Sequence, residues 1–279
     1  MTTTLVLEGG GLRGAFGAGV VAELAREGRA SFDDVLAVSS GAPTAAYLVA
    51  GQVDDGVRIW ENHVHGAQLI SPARWLRREP LMDLPRLVGV FARGVPLALP
   101  RLATAKARCW VVVTDCATGA AEYVRATPEN ALDLLHATMA IPIAYGRAVE
   151  VHGTSYVDGG IADAIPIDRA LSLGNRRTVV ILTRPRGYRR IRSRVGAFLM
   201  GKSYPQYPAL GPVLARRWAT SNRSLETIDR LEADGEISVI RPSATLPAGR
   251  LSRRREDILA TIEAGRTAAR AWLRAPDAP

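Results

Sequence analysis

Apolar and polar positions near the start of the chain follow two periods in turn. Leu5-Val6-Leu7-Glu8 reads as a short buried strand that runs into glycines, and Ala15 to Arg26 continues with helical spacing. A second apolar strand, Val35 to Val38, runs into Ser39-Ser40-Gly41, and Pro43 to Ala50 is helical again. Two successive strand-loop-helix units predict an α/β fold with a mostly parallel central sheet and helices on its faces.

Further along, about 54–100 is helical but broken by proline and glycine, which predicts short helices laid over the sheet and a candidate lid. Cys109 to Thr114 is the next strand, with Glu122 to Val124 pairing back across Ala117-Thr118-Gly119. Ala131 to Thr138 is helical and is broken at Ile141-Pro142-Ile143. Val149 to Val151 and Ser155 to Val157 then form a hairpin around His152-Gly153 that delivers Asp158-Gly159-Gly160. Pro166 marks a helix start, Thr178 to Leu182 a buried strand, Tyr207 to Glu232 a long helical region, Ile237 to Ile240 a last strand and about 253–273 a C-terminal helix. The closing Ala-Pro-Asp-Ala-Pro is expected to fray. With 279 residues, 47% of them hydrophobic and no internal repeat, the expectation is a single domain over 1–279.

Composition narrows the function classes. No basic segment leads into an apolar stretch and cleavage site, and no apolar run reaches the roughly 18 to 20 residues that span a bilayer. The expectation is a cytoplasmic protein capable of peripheral membrane contact. The net charge of +9 is almost wholly arginine, dense at Arg74 to Arg78, Arg184 to Arg194 and Arg250 to Arg255. Such a balance suits an anionic membrane surface or nucleic acid, and equally arginine spread over solvated faces. No nucleic-acid recognition motif accompanies it, so nucleic acid is not expected. Cys109 and Cys116 flank or lie within an apolar run and read as small hydrophobes, and the four histidines are scattered, so neither a metal nor another cofactor is expected.

Three constellations carry chemistry, and each follows a strand, where the sheet presents loops to a shared edge. Gly9-Gly10-Gly11-Leu12-Arg13-Gly14 exposes backbone N–H groups at a helix N-terminus, which makes an anion site. Gly9, Gly11 and Gly14 also fit a dinucleotide-binding spacing, but Asp33 and Asp34 precede the second strand and lie at its wrong end for a ribose. The correct end carries Ser39, within Ala37-Val38-Ser39-Ser40-Gly41, close to a G-x-S-x-G nucleophile elbow with Ala37 in place of the first glycine. Ser40 is the rival nucleophile, and Ser39 fits the spacing to Gly41. Asp158, followed by two glycines that permit a sharp turn, is the candidate base.

Taken together, Gly9 to Gly14 resembles the patatin oxyanion signature G-G-G-x-R/K-G, Ser39 resembles the elbow serine, and Asp158 the D-G-G/A aspartate. Ala137 to Pro142 and Tyr156 to Gly160 also resemble the family's run towards its aspartate. The resemblance implies a three-layer α/β/α patatin-like fold and a carboxylic ester hydrolase of the lipid acyl hydrolase or phospholipase A type. It further implies a Ser39–Asp158 dyad without histidine, an acyl-enzyme intermediate, and an oxyanion held by the glycine loop, chiefly Gly10 and Gly11. Phospholipid or acylglycerol esters are the implied substrates. A non-catalytic lipid-binding protein on the same fold is the alternative. Two roles stay open for Arg13, anchoring the loop or touching a lipid phosphate, and Glu8 is a candidate partner of the loop or of Arg13. If the Ala37 methyl crowds the elbow, activity falls while the fold persists.

Overall fold

The computed structural model describes residues 2–142, 144–192 and 204–275. Ile143, the last two residues of the arginine stretch that ends at Arg194, and 276–279 of the tail expected to fray lie outside the described residues. The strands are β1 (Thr3–Leu7), β2 (Asp34–Val38), β3 (Arg108–Asp115), β4 (Ala121–Arg125), β5 (Val149–Val151), β6 (Thr154–Asp158), β7 (Arg177–Ile181) and β8 (Ser238–Ile240). They form one sheet in the order β5-β6-β3-β2-β1-β7-β8, with β4 also paired to β3. From β3 through β8 the neighbours run parallel, and β4, β5 and β6 are antiparallel additions.

Parallel neighbours need crossover connections, which the chain makes with helices. These are α1 (Ala15–Arg26), α2 (Gly41–Val49), α3 (Val53–Asn62), α4 (Pro72–Leu76), α5 (Leu84–Gly89), α6 (Leu99–Thr104), α7 (Ala131–Thr138), α8 (Ile167–Ser172), α9 (Leu210–Ala233) and α10 (Arg255–Leu273). Strand side chains alternate between two cores. Leu5, Leu7, Val35, Ala37, Val111 and Val113 pack towards α1, α2, α7 and α10. Val6, Leu36 and Val180 pack towards α8 and α9. A sheet covered on both faces explains why its strands read as continuous apolar runs, and the architecture is the expected three-layer α/β/α arrangement.

Most elements fall where the periodicity puts them. The second helix begins at Gly41, ahead of Pro43, because proline is tolerated in a first helical turn whose N–H groups lack intrahelical partners. Pro166 sits just before α8 rather than inside it. The broken stretch 54–100 does hold short helices, and it adds a bridge between Ile70 and Met82 and a π-turn at Val90–Gly94 that hydrophobic spacing does not encode.

One feature of the sheet positions the chemistry. Val113 of β3 pairs with Glu122 of β4 and with Asp158 of β6, so β4 and β6 take opposite edges of β3. On the β6 edge, β2 arrives from the other direction and its pairing stops at Val38 opposite Val112. The C-terminal ends of β2 and β6 therefore meet head to head on neighbouring residues of one strand. At the far end of β2, the buried Asp34 accepts hydrogen bonds from Arg108 (2.7 and 2.6 Å), Trp110 (2.7 Å) and Asn175 (2.8 Å).

The contact between α1 and α10 is backbone-close. A methyl group on Gly19 would overlap the Ile262 carbonyl, and one on Gly265 would overlap the Phe16 carbonyl. Gly265→Val should destabilise the protein by roughly 3 kcal/mol, the upper part of the usual range for overpacking. Urea unfolding measures this, and an unchanged midpoint would show that the two helices do not touch there.

Candidate active site

Ser39 has φ +51°, a left-handed conformation that Arg78 and His152 are the only other non-glycine residues to share among those described. Such backbone costs about 1–3 kcal/mol and persists only where its surroundings fix it. Here the Ser39 N–H donates to Thr138 Oγ1 at 2.8 Å, and the Thr138 hydroxyl donates to the Val112 carbonyl at 2.5 Å. The turn closes with Ala42 N–H donating to the Ser39 carbonyl at 2.9 Å. Space is tight at Gly41, where a Cβ would come within 3.1 Å of the Leu7 carbonyl and side chain. The Ala37 methyl is buried in the core between its strand partners Leu7 and Val111.

The Ser39 hydroxyl donates to Asp158 Oδ2 at 2.6 Å, and Asp158 Oδ1 accepts from the Gly160 N–H at 2.8 Å. Gly159 follows directly because a Cβ there would overlap the Val112 carbonyl, while the Thr114 hydroxyl holds the Asp158 carbonyl at 2.9 Å. Burial pushes the Asp158 carboxyl above its ordinary range, against the opposing pull of the Ser39 hydrogen bond and the charge of Arg217. A carboxylate with raised proton affinity is a stronger base for a hydroxyl proton.

The glycine loop packs onto the elbow. A Cβ on Gly9 would sit 3.0 Å from the Ser39 Cβ, and one on Gly14 would sit 2.6 Å from Ser40 Oγ. The two serines are thereby distinguished. Ser40 Oγ accepts the Gly10 N–H at 3.0 Å and is part of the loop's support, whereas Ser39 faces the carboxylate. Of the two anticipated oxyanion donors, Gly10 is thus engaged, and Gly11 N–H has no partner among the described residues. Gly11 itself is left-handed at φ +59°, and the next N–H, that of Leu12, donates to the Arg250 carbonyl at 3.1 Å. Glu8 belongs to the loop's foundation, accepting the Thr183 N–H at 2.6 Å and hydroxyl at 3.0 Å. The Arg13 side chain is buried and makes no hydrogen bond or ion pair among the described residues.

Two cavities of different character meet at Ser39. One is lined by apolar groups including Leu12, Tyr47, Ile59, Trp60, Leu69, Met82, Phe91 and Met139. Its roof comes from the broken helical stretch 54–100. The other is lined by Gly9, Gly10, Gly11, Asp158, Gly160, Arg217 and Arg250. None of the four histidines lines either cavity. Cys109 and Cys116 are buried free thiols pushed up to about 12 by burial, away from this chemistry.

Thr138, Arg217 and Arg250 were not anticipated as site residues. For Arg217 a signal exists: it continues the helical stripe that buries Ser221, Ser224, Leu225, Ile228 and Leu231, so it is a charge at an inward position of α9. Thr138 and Arg250 act through backbone proximity, which spacing does not reveal.

A family model described as patatin-like phospholipase matches residues 5–171, and a domain of unknown function (DUF6363) matches residues 207–275, the part that carries Arg217 and Arg250. The uncharacterized protein YjjU of Escherichia coli (strain K12) is 34% identical over 184 residues, covering 65% of this chain and 52% of that protein. The chain thus spans about half the length of this curated relative. The crystal structure of VipD from Legionella pneumophila superposes with a TM-score of 0.51 at 13% identity over 97% of this chain and 66% of that one, a likeness of fold alone.

The buried Asp158 gives a stability test. Its pKa in the fold is raised, so ionisation opposes folding, and this penalty is relieved as the pH falls through that pKa towards the unfolded value. Asp158→Asn keeps the shape without the charge and should melt higher than the parent at neutral pH, with the gap closing in acid. A lower melting temperature at neutral pH would show that the carboxylate stabilises the fold.

Proposed function

Because the chain belongs to the patatin-like phospholipase family, we propose that it is a serine hydrolase of lipid carboxyl esters in which Ser39 is the nucleophile and Asp158 its base. The observation that carries this reading is the Ser39 hydroxyl, set on a left-handed turn, donating to the buried Asp158 at 2.6 Å where the two cavities join. As Ser39 Oγ attacks the ester carbonyl, its proton passes to Asp158 Oδ2, and the Gly160 N–H on Oδ1 keeps the carboxylate aimed. Negative charge builds on the carbonyl oxygen, where Gly11 N–H at the start of a helical turn is the open donor. Collapse of the tetrahedral adduct returns the Asp158 proton to the leaving alcohol and leaves an acyl-serine, which water cleaves by the same route. The acyl chain occupies the apolar cavity under the 54–100 roof.

The same roof supports contact with a lipid surface. In α4, Trp75 and Leu76 are 73% and 80% exposed. They lie in a small excursion closed at its base by the Ile70–Met82 bridge, beside Leu69 and Met82 of the apolar cavity. Arg77 and Arg78 follow them, whereas Arg74 is paired with Glu79 and Asp83 and serves the excursion's own structure. Two exposed apolar side chains next to cations with no carboxylate partner among the described residues favour an anionic interface over water. No helix of the described residues is long and apolar enough to cross a membrane.

A fluorophosphonate probe, which phosphonylates activated serines, should label Ser39 in the parent and in Ser40→Ala, fail in Ser39→Ala, and slow by about 10²- to 10⁴-fold in Asp158→Asn. Labelling should fall as the pH drops through the raised Asp158 pKa, so its acid limb should lie above the ordinary carboxylate range. Label on Ser40, or no label on folded protein, would remove Ser39 as nucleophile. For the surface contact, the double substitution Trp75→Ser and Leu76→Ser should weaken partition onto anionic vesicles at least about tenfold, since burying one large apolar side chain is worth about 1.5–3 kcal/mol. Unchanged partition would place the membrane face elsewhere.

A further inference from the structure

Five arginines gather at the polar cavity. Arg217 and Arg250 line it beside Ser39 and Asp158. Arg190 is close enough to both for their charges to act on one another, Arg13 of the glycine loop is within similar reach of Arg250, and Arg184 is within reach of Arg13 and Arg190. None of the five forms an ion pair with a carboxylate among the described residues, unlike Arg189 with Asp229 or Arg241 with Glu232 a short way along the same elements. The Nε atoms of Arg13, Arg184, Arg190 and Arg217 are buried without a hydrogen-bond partner there. Two carboxylates face the cluster, and both are engaged: Glu8 by Thr183, Asp158 by Ser39 and Gly160.

Buried polar groups are normally satisfied, and a buried unpaired charge is more costly than a buried neutral group. Here burial, reinforced by neighbouring arginines, brings Arg217 down to about 9 and Arg13 to about 10. The placement is backbone-fixed: the Arg250 carbonyl accepts from Leu12, and the Arg190 N–H donates to the Asn222 side chain of α9 at 2.7 Å. An assembly of fixed guanidinium groups with unfilled donors is short of an anion with several oxygens, and phosphate meets arginine forks pairwise.

We propose that Arg190, Arg217 and Arg250 form a subsite for a phosphate-class anion next to the Ser39 ester site. The proposal rests on the hydrolase reading above for its orientation. An ester with its carbonyl at Ser39 and its acyl chain in the apolar cavity turns its alcohol portion into the arginine-lined one, so the preferred substrate carries its phosphate there. A free phosphate bound beside a neutral ester would use the same donors.

The test uses the full chain and two readouts. In the first, melting is followed in inorganic phosphate and in sodium chloride of equal ionic strength. Phosphate should raise the melting temperature of the parent and of Ser39→Ala, and the rise should vanish in Arg190→Gln and Arg250→Gln. Without phosphate, Arg190→Gln should melt no lower than the parent, because it removes like-charge repulsion. In the second, hydrolysis of a monoacylglycerol phosphate is compared with that of the monoacylglycerol bearing the same acyl chain. The phosphorylated ester should lead in kcat/KM by about tenfold or more, and that ratio should drop about ten- to a hundredfold in Arg250→Gln, as expected for one lost charge-assisted contact. Competition by inorganic phosphate against the phosphorylated ester alone identifies a headgroup subsite. Phosphate-stimulated hydrolysis of the neutral ester, with no preference for the phosphorylated one, identifies free phosphate as the ligand. Turnover of both esters at equal rates, with phosphate no better than chloride in melting, overturns the subsite and leaves the hydrolase. A phosphate-dependent rise lost in the arginine variants, with no turnover of either ester, retains the subsite and overturns the hydrolase.

Discussion

The positions of Val112 and Val113 on one edge of β3 determine where β2 and β6 stop, and with that they set the separation of Ser39 and Asp158. Two loops anchored on distant elements would drift relative to each other; two strands ending head to head on adjacent residues of a third cannot. The Val112 carbonyl is the centre of this junction. It receives the Thr138 hydroxyl, whose oxygen in turn holds the Ser39 N–H, and it approaches Gly159 so closely that no side chain fits. The glycines of Gly9–Gly14 then pack down on the same turn, so the loop and the hydroxyl share one support.

Around this junction the protein tolerates several unfavourable arrangements at once: a serine in left-handed backbone, a carboxylate out of water, and guanidinium groups crowded together without counter-ions among the described residues. Each lowers stability, and their concentration in one place is the common mark of a site whose geometry serves binding or chemistry. The offsetting stabilisation lies in the doubly covered parallel sheet and in the far end of β2, where Asp34 is surrounded by donors. The contrast between Asp34 and Asp158 is instructive. Both are buried carboxylates, but burial is outweighed by Arg108, Trp110 and Asn175 at Asp34, which stays below the ordinary range, and dominates at Asp158, which rises above it.

Much of the layout was legible in the chain because it rests on local periodicity. Leu5 to Leu7 and Val35 to Val38 announce buried strands, Ala15 to Arg26 a helix, and the glycines at 9–11 and 159–160 mark turns, where a Cβ on Gly11 or Gly159 would collide with backbone. What spacing cannot reveal is which distant backbone approaches a given residue. That Ser40 takes the Gly10 N–H, that Thr138 supports Ser39, and that the Arg250 carbonyl rests on the glycine loop all depend on contacts between segments far apart in sequence. The arginines illustrate the limit best. As a compositional excess they suit any acidic surface; only their arrangement separates Arg74, which is paired, from Arg217, which has no ion-pair partner among the described residues.

The glycine-to-carbonyl packing of α1 against α10 has a consequence for biosynthesis. The N-terminal strand and helix leave the ribosome long before their cover does, so the apolar face of α1 around Phe16 and Val20 waits uncovered while the intervening chain is made. Closure of that core therefore waits until α10 has been made. During that interval the uncovered apolar face is open to aggregation, which the stability of the finished molecule does not report.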